Sequence, residues 1–332
     1  MRVGLLGAGR IGAFHAGVLA EHEDVDALRV GDVDAERAAA VAKEVGGQAG
    51  TIEEVIGSGL DAAVITAATA AHAELIKACL DEGLPTFCEK PVALDYEDTV
   101  TIVDRVESSG AILQVGFMRR FDPGYREAKR LVEAGDLGTL YSVHMFGHDH
   151  EPPPEGYIPH SGGIFRDLHI HEFDLLRWLT DNEAEEVYAQ GSVRQFDVFA
   201  EHDDFDTSAA LIKMANGVLI VLTGGRHGPL GYDVRMEIFG SGDSISVGLG
   251  ERTPLRSVEP GAPPPEGPAY TGFLGRFEQA YRNELAHFLD LVQGRAENPC
   301  TARDSLEALR IAMAAEAAVA EHRPVQLKEI RG

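Results

Sequence analysis

The first third of the chain alternates short apolar runs with longer amphipathic stretches, and this alternation constrains the fold more than any other feature. Apolar runs at Val3–Leu6, Ala27–Val30 and Ala62–Thr66 predict buried strands, and the segments between them have the spacing of helices with one apolar face. Strands that alternate with helices along a chain pair in a parallel sheet. The sequence therefore predicts an α/β domain at the N-terminus.

A glycine-rich loop, Gly7–Gly12, joins the first predicted strand to the first predicted helix and reads GAGRIG. In such a loop the first glycine permits a tight turn, the second lets a pyrophosphate approach the backbone, and the third lets helix and strand pack closely. Asp32 ends the second strand about 20 residues after Gly12, the spacing of an acid that binds ribose hydroxyls. These features predict a Rossmann domain with dinucleotide-binding residues Gly7, Gly9, Arg10, Ile11, Gly12 and Asp32.

Asp32 also bears on the choice of dinucleotide. A carboxylate accepts hydrogen bonds from the ribose hydroxyls of NAD and repels the 2′-phosphate of NADP. Val33 follows it where NADP enzymes often place Arg or Ser, and Asp34 adds negative charge. NAD is therefore the expected cofactor, while Arg10 and Arg37 leave some use of NADP open.

The sequence changes character after Gly116. Several short strands follow one another, with Asn216-Gly217 as a strong hairpin signal between two of them, and two long helices, Phe273–Gln293 and Ala302–Glu321, come last. This half predicts an α+β domain with a large, mostly antiparallel open sheet. The expected division is a dinucleotide-binding domain over residues 1–120 and a substrate-binding and oligomerisation domain over residues 121–332.

The composition excludes several classes of partner. With 54 acidic and 29 basic residues among 332, the formal net charge is −25, which repels nucleic acid and anionic membrane surfaces. No apolar stretch is long enough for a membrane span. The three cysteines, Cys79, Cys88 and Cys300, lack the spacing of a disulfide framework or a thiolate zinc site, so a reducing cytoplasm is the expected compartment.

Two polar segments are candidates for chemistry. Glu89-Lys90-Pro91 ends a predicted strand, where open α/β sheets bind ligands, and Pro91 allows a cis peptide bond. Asp167 and His171 lie four residues apart on a predicted helix over 166–179, so they share one face. Taken alone, the first segment favours a solvated surface lysine, and the second favours a helix with an acidic N-terminus and a surface histidine.

A group of histidines and acids invites a metal-site interpretation: His148, His150, His160, His169 and His171, with Asp149 and Asp167. His148 and His150 share a face if their segment is a strand. However, His169 points away from His171 on a helix, and a proline-rich loop separates the two ends of the group. No metal is therefore expected.

The sequence resembles the glucose–fructose oxidoreductase, inositol dehydrogenase and rhizopine-catabolism (Gfo/Idh/MocA) family along nearly its whole length. The matching features are the Gly7–Gly12 loop, Thr69 and His72 after the third strand, Glu89-Lys90-Pro91, Asp167-x-x-x-His171-x-x-Asp174, and the segments 114–122 and 231–233, which look most like inositol 2-dehydrogenases. Two departures stand out. Ala67-Ala68 replaces a Thr-Pro step beside the cofactor, and His148-Asp149-His150 occupies the place of an Arg-Asn pair.

The resemblance implies a function and a set of site residues. It implies NAD-dependent oxidation of a secondary hydroxyl of a cyclic polyol, myo-inositol to its 2-keto product, with His171 as base and Lys90 and Asp167 assisting. It also implies cofactor contacts from Ala67, His72, Glu89 and Lys90, substrate contacts from Met118, Arg119, His150 and Tyr232, and a homotetramer. A sugar or scyllo-inositol dehydrogenase of the same family, and a non-catalytic nucleotide-binding sensor, remain as alternatives.

Overall fold

The computed structural model describes residues 1–263 and 267–331, which form two compact units. The first unit is Met1–Met118 with Gln279–Glu307, and the second is Arg119–Glu278 with Ala308–Gly332. The first division lies two residues from the expected boundary at 120, but the return of residues 279–307 to the first unit differs from the expected division. The reason is packing, because Leu285, Phe288 and Leu289 belong to the first unit's buried core.

A six-stranded sheet organises the first unit. All of its strands are parallel and lie in the order β3-β2-β1-β4-β5-β6. Strands β4, β5 and β6 are buried along their whole length, as expected for a parallel sheet covered on both faces. The strands are β1 Arg2–Leu6, β2 Ala27–Gly31, β3 Gln48–Gly50, β4 Ala62–Ile65, β5 Thr86–Glu89 and β6 Leu113–Gly116.

Most helices that connect these strands start with a side-chain cap. Asp34, Thr51 and Asp95 accept hydrogen bonds from first-turn amides of α2, α3 and α5, which satisfies donors that a helix start leaves open. The helices are α1 Arg10–Ala20, α2 Ala35–Glu44, α3 Ile52–Ile56, α4 His72–Asp81 and α5 Tyr96–Ser109.

A seven-stranded sheet organises the second unit, in the order β12-β11-β7-β10-β9-β8-β13. Only β7 and β10 pair in parallel, and the other neighbours are antiparallel. The predicted fold class is thus confirmed. The strands are β7 Leu140–His148, β8 Ala184–Ser192, β9 Thr207–Met214, β10 Leu219–Gly225, β11 Asp233–Gly240, β12 Ser244–Val247 and β13 Val325–Gln326.

The helices complete the chain. Within the described residues, no helix is both long and apolar enough to cross a membrane. The remaining helices are α6 Pro123–Glu133, α7 Ile158–Ser161, α8 Gly163–Asp167, α9 Ile170–Thr180, α10 Val198–Glu201, α11 Phe273–Val292 and α12 Ala302–Glu321.

Candidate active site

The glycine loop after β1 is held by close backbone contacts. The N–H of Gly7 donates to the Gly31 carbonyl at 2.8 Å, and Gly7 has a φ of +107°, which favours glycine. A Cβ on Gly12 would lie 2.0 Å from the Gly7 carbonyl oxygen, so only glycine lets α1 pack against this turn. A Cβ on Gly9 would meet nothing within 4 Å. The predicted roles of the first and third glycines are therefore visible in the fold.

Asp32 follows β2, and its carboxylate is fixed beside this loop. Its Oδ2 accepts from the Ala8 N–H at 2.6 Å and its Oδ1 from the Asp34 N–H at 2.8 Å. The Arg37 guanidinium lies 3.7 Å from Oδ1. Asp32 is buried, so its carboxylate lies at the turn and is shielded from solvent.

His72, at the start of α4, joins two loops of the first unit. Its Nδ1 lies 2.7 Å from the Pro91 carbonyl oxygen, and its Nε2 lies 3.1 Å from that of Ala67. Burial lowers the pKa of His72, and the two carbonyls oppose this lowering. A neutral ring donates to only one of the two acceptors. His72 thus connects the loops after β4 and β5. Its contact with the cofactor stays a prediction.

Glu89 and Lys90 lie at the carboxyl end of β5. The Glu89 Oε1 lies 2.7 Å from Nε2 of His15, which is fully buried on α1. A Cβ on Gly116 of β6 would lie 3.0 Å from the Glu89 Oε2. Glu89 is therefore held by its neighbours. Lys90 is half-buried, and its bond to Pro91 is cis.

Asp167 and His171 lie on two short helices of the second unit rather than on one. The sequence predicts a single helix over 166–179, but α8 ends at Asp167 and α9 begins at Ile170. The buried His169 lies between them, with its Nε2 2.7 Å from the Ser208 Oγ of β9. Its ring also lies where a Cβ on Gly224 would stand, so the chain bends to bring this histidine under the sheet. That His169 points away from His171 stays a prediction.

The Asp167 carboxylate has two defined donors. The Tyr157 hydroxyl donates to Oδ1 at 3.0 Å, and the Arg226 NH1 donates to Oδ2 at 2.8 Å. Burial and the Asp167 charge both raise the pKa of Tyr157, which keeps its hydroxyl protonated as a donor. The carboxylate is thus oriented from two sides.

A buried ion pair lies one residue beyond His171. Arg119 donates to Glu172, and both side chains are almost wholly buried. Burial acts to raise the pKa of Glu172, but the Arg119 charge and the nearby His169, whose Nδ1 lies 3.5 Å from the Glu172 Oε2, outweigh it and bring the pKa to about 2. Arg119 also faces the Phe277 ring, 5.5 Å from its centroid. The substrate contact of Arg119 stays a prediction, and the structure gives the residue a partner in the protein.

The other predicted substrate residues are spread over several elements. Met118 is buried in the first unit, and the His150 Nδ1 lies 3.0 Å from the Gly228 carbonyl oxygen. Tyr232 is buried, burial raises its pKa, and it lines a cavity of about 340 Å³ with Asp233, Arg252 and Tyr270 among others. Lys90, Asp167 and His171 are not among the residues that line this cavity.

Sequence reasoning missed Arg226, Tyr157 and Glu172. The one signal for Arg226 was the pair Gly224-Gly225 just before it, because glycine inside a strand marks a close approach of other groups. Glu172 adjoins the motif histidine, yet a buried glutamate looks like a surface one in sequence. Among the described residues, no group of three or more His, Cys, Asp or Glu side chains is arranged to hold a metal ion.

Comparison with known proteins agrees with these observations. The family model for the oxidoreductase family with an NAD-binding Rossmann fold matches residues 1–117, and the GFO/IDH/MocA C-terminal domain matches residues 125–246. The chain belongs to the GFO/IDH/MocA family. The predicted family, the oxidoreductase class and the NAD-binding Rossmann domain are confirmed.

Several members of the GFO/IDH/MocA family match this chain along its full length. Myo-inositol dehydrogenase Hyg17 of Streptomyces leeuwenhoekii is 39% identical over 95% of this chain and 96% of its own. The crystal structure of a myo-inositol dehydrogenase from Corynebacterium glutamicum superposes with a TM-score of 0.90 at 32% identity, covering 98% of each chain. That of scyllo-inositol dehydrogenase from Lactobacillus casei, with bound NAD(H) and scyllo-inositol, has a TM-score of 0.88 at 28% identity and covers 99% of each chain.

The residues of the first unit of this GFO/IDH/MocA member fit the dinucleotide. No side chain among the described residues caps α1, and the positive end of its helix dipole favours an anion there. Gly9 leaves the approach to this end of the helix clear. Gly9, Arg10 and Ile11 would hold the pyrophosphate, and the fixed Asp32 carboxylate would accept from the adenosine ribose.

Proposed function

We propose that this protein oxidises a secondary hydroxyl of a cyclic polyol, myo-inositol to its 2-keto product, with NAD as the cofactor. The observation that carries the proposal is the full-length similarity to myo-inositol dehydrogenases together with Lys90, Asp167 and His171 at the family motif positions. Scyllo-inositol is the second candidate substrate, because a scyllo-inositol 2-dehydrogenase of Bacillus subtilis is 32% identical over 98% of this chain.

The chemistry assigns a role to each of these side chains. Bound NAD supplies the acceptor for the hydride that leaves the ring carbon. His171, an imidazole whose ordinary pKa is about 6.5, takes the proton from the hydroxyl as the carbonyl forms. Lys90 donates a hydrogen bond to the same oxygen and stabilises its developing negative charge. Asp167 accepts a hydrogen bond from a neighbouring ring hydroxyl and orients the polyol.

An absorbance screen at the NADH band tests the proposal. The purified protein is incubated with NAD and, separately, with myo-inositol, scyllo-inositol, other inositols and a panel of sugars. The expected result is NADH formation with myo-inositol, or with scyllo-inositol if the second candidate is correct. Turnover of a sugar alone would contradict the choice of inositol, and no turnover with any polyol would favour a nucleotide-binding sensor.

The second unit's sheet supports a homo-oligomer, which we propose is a tetramer. Val221 pairs in register with Leu211, and Leu211 with Tyr188, so the three form a row across adjacent strands. All three are exposed, at 38%, 49% and 38%, and Leu219 nearby is 45% exposed. A contiguous apolar patch on a sheet face is a typical subunit contact.

The cysteines are free and buried, which supports the proposed cytoplasmic location.

A further inference from the structure

Helix α8, which ends in Asp167, is fixed at both of its ends. At its start, the Ile164 N–H donates to the Asp204 Oδ1 at 2.8 Å. At its end, Asp167 accepts from Tyr157 and Arg226. A helix of only five residues has little stability of its own, so these contacts determine where the Asp167 carboxylate lies.

Arg226 is a buried cation among three carboxylates. Its side chain is 2% exposed, and its nitrogens lie 2.8 Å from Asp167 Oδ2, 3.6 Å from Asp149 Oδ2 and 4.0 Å from Asp204 Oδ2. Burial acts to lower the pKa of Arg226, but these acids outweigh it and raise the pKa. The site therefore retains one guanidinium charge, and the shortest of its three ion pairs goes to Asp167.

The backbone around Arg226 is also held in place. Its N–H donates to the Asp206 carbonyl at 2.8 Å, and the Asp149 N–H donates to the Gly225 carbonyl at 2.9 Å. Asp149 follows β7, Asp206 precedes β9 and Arg226 follows β10, so the ends of three neighbouring strands fix the guanidinium. Arg226 is thus positioned beside α8 by the ends of the sheet strands rather than by a loop.

Tyr157 approaches Asp167 from the other side. It lies on the segment between β7 and α7, and its side chain is 42% exposed. Its hydroxyl donates to the carboxylate oxygen that Arg226 does not contact. A carboxylate has about four acceptor positions, so these two donors orient Asp167 without filling all of them.

We propose that Arg226 and Tyr157 are positioning residues that hold Asp167 ionised and oriented as the hydrogen-bond acceptor for a ring hydroxyl of the polyol. This inference rests on the proposed function and adds two residues to it. It assigns Asp167 to binding rather than to proton transfer, because a carboxylate held by a guanidinium is a weak base. Loss of either donor raises the KM for the polyol more than it lowers kcat.

Steady-state kinetics of paired variants test the inference. In Tyr157→Phe we expect about a tenfold higher KM for the polyol that the wild type oxidises, a smaller change in kcat and an unchanged KM for NAD, since one hydrogen bond to a charged group is lost. Arg226→Gln should have a larger effect, and Arg226→Lys should recover part of it by restoring the charge. The inference would be overturned if Tyr157→Phe left the polyol KM unchanged. It would also be overturned if the polyol KM of Arg226→Lys were no lower than that of Arg226→Gln.

Two control variants in the same unit match these changes. Tyr141→Phe also removes an exposed tyrosine hydroxyl, since Tyr141 on β7 is 58% exposed and lies outside the row of Val221, Leu211 and Tyr188. Arg177→Gln breaks a two-bond ion pair with Glu183, both bonds at 2.7 Å. Both variants should keep the wild-type polyol KM.

A stability cycle tests the contact without using turnover. The free energy of unfolding in urea is measured for wild type, Arg226→Gln, Asp167→Asn and the double variant. We expect strong coupling, with the double variant less destabilised than the two single effects added, because Asp167→Asn removes the carboxylate that Arg226→Gln leaves without its nearest cation. Additive effects would overturn the inference even in an inactive protein, whereas a wild type silent with every polyol would overturn the proposed function.

Discussion

Lys90 is the side chain on which the proposed chemistry depends most directly. We expect Lys90→Met to lower kcat about 100- to 1,000-fold, the usual loss when one donor to a developing oxyanion is removed. The affinity for NAD, measured by fluorescence titration, should stay within about threefold, since the phosphate and ribose contacts are assigned elsewhere.

Lys77→Met is the control for Lys90→Met. Lys77 is a lysine of the same unit that pairs with Glu74 at 2.8 Å, and it should keep full activity when replaced. Wild-type kcat in Lys90→Met would remove the residue from the proposed chemistry.

Glu172 makes the stability of the second unit sensitive to acid. Its folded pKa of about 2 lies below its ordinary 4.5, so its contribution is complete above pH 4.5 and is lost as the pH falls towards 2. We expect this group to remove on the order of 3 kcal/mol from the free energy of unfolding across that range. Urea unfolding at a series of pH values measures it.

Glu172→Gln should be less stable at pH 7, because the Arg119 charge stays buried without its carboxylate, yet its stability should change less between pH 5 and pH 2. Glu183→Gln, which replaces a 60% exposed carboxylate that pairs with Arg177, should follow the wild-type curve. An acid dependence of Glu172→Gln equal to that of the wild type would contradict this assignment.

The residues that could be predicted from the sequence are those whose roles depend on residues nearby in the chain. The spacing between Gly12 and Asp32 lies within one βαβ unit, so chemistry and position could be predicted together. The bond from Arg226 to Asp167 joins residues 59 positions apart and depends on which strands become neighbours. His72 was recognised from a family motif, but its two carbonyl partners are visible only in the folded chain.

At the scale of elements, periodicity was accurate for long amphipathic segments. The predicted helix over 302–321 matches α12 at both ends. The predicted helix over 166–179 is wrong in its continuity, because the burial of His169 under Gly224 interrupts it, and no periodic pattern encodes that tertiary contact. The short strand β3 was missed, since three half-exposed residues carry no apolar run.

Helix α1 and the turn before it give a prediction that separates folding from cofactor binding. Gly12→Ala places a methyl group 2.0 Å from the Gly7 carbonyl oxygen, so we expect a lower melting temperature and weak NAD binding. Gly9→Ala adds a methyl group where the protein has nothing within 4 Å. It should therefore keep the wild-type melting temperature while weakening NAD binding about tenfold or more, because the methyl group blocks the pyrophosphate.

Thermal unfolding without cofactor and titration with NAD distinguish the two glycine variants. Gly17→Ala, which also meets nothing within 4 Å on the same helix, is the control: it should keep wild-type NAD binding, with a melting temperature no lower than that of the wild type. Normal NAD binding by Gly9→Ala would contradict the position assigned to the pyrophosphate.

At the scale of the whole molecule, the exposed sheet row of the second unit determines the expected assembly. Leu211→Glu with Val221→Glu puts two like charges opposite each other on neighbouring strands. We expect the mass measured by light scattering to fall from four times the chain mass of 35.7 kDa to a smaller species. Val258→Glu, at an 85% exposed position outside any strand or helix, should leave the mass unchanged. A wild-type monomer would contradict the proposed tetramer.

The return of residues 279–307 to the first unit limits how this gene can be divided. A fragment that stops near residue 120 retains the glycine loop and Asp32 but lacks Leu285, Phe288 and Leu289, so Val3, Leu5 and Phe87 lose apolar neighbours. Such a truncated polypeptide would expose apolar surface and aggregate, so it would not serve as a minimal nucleotide-binding domain. An engineer who wants that half alone must graft the late segment back through a linker, as in a circular permutant.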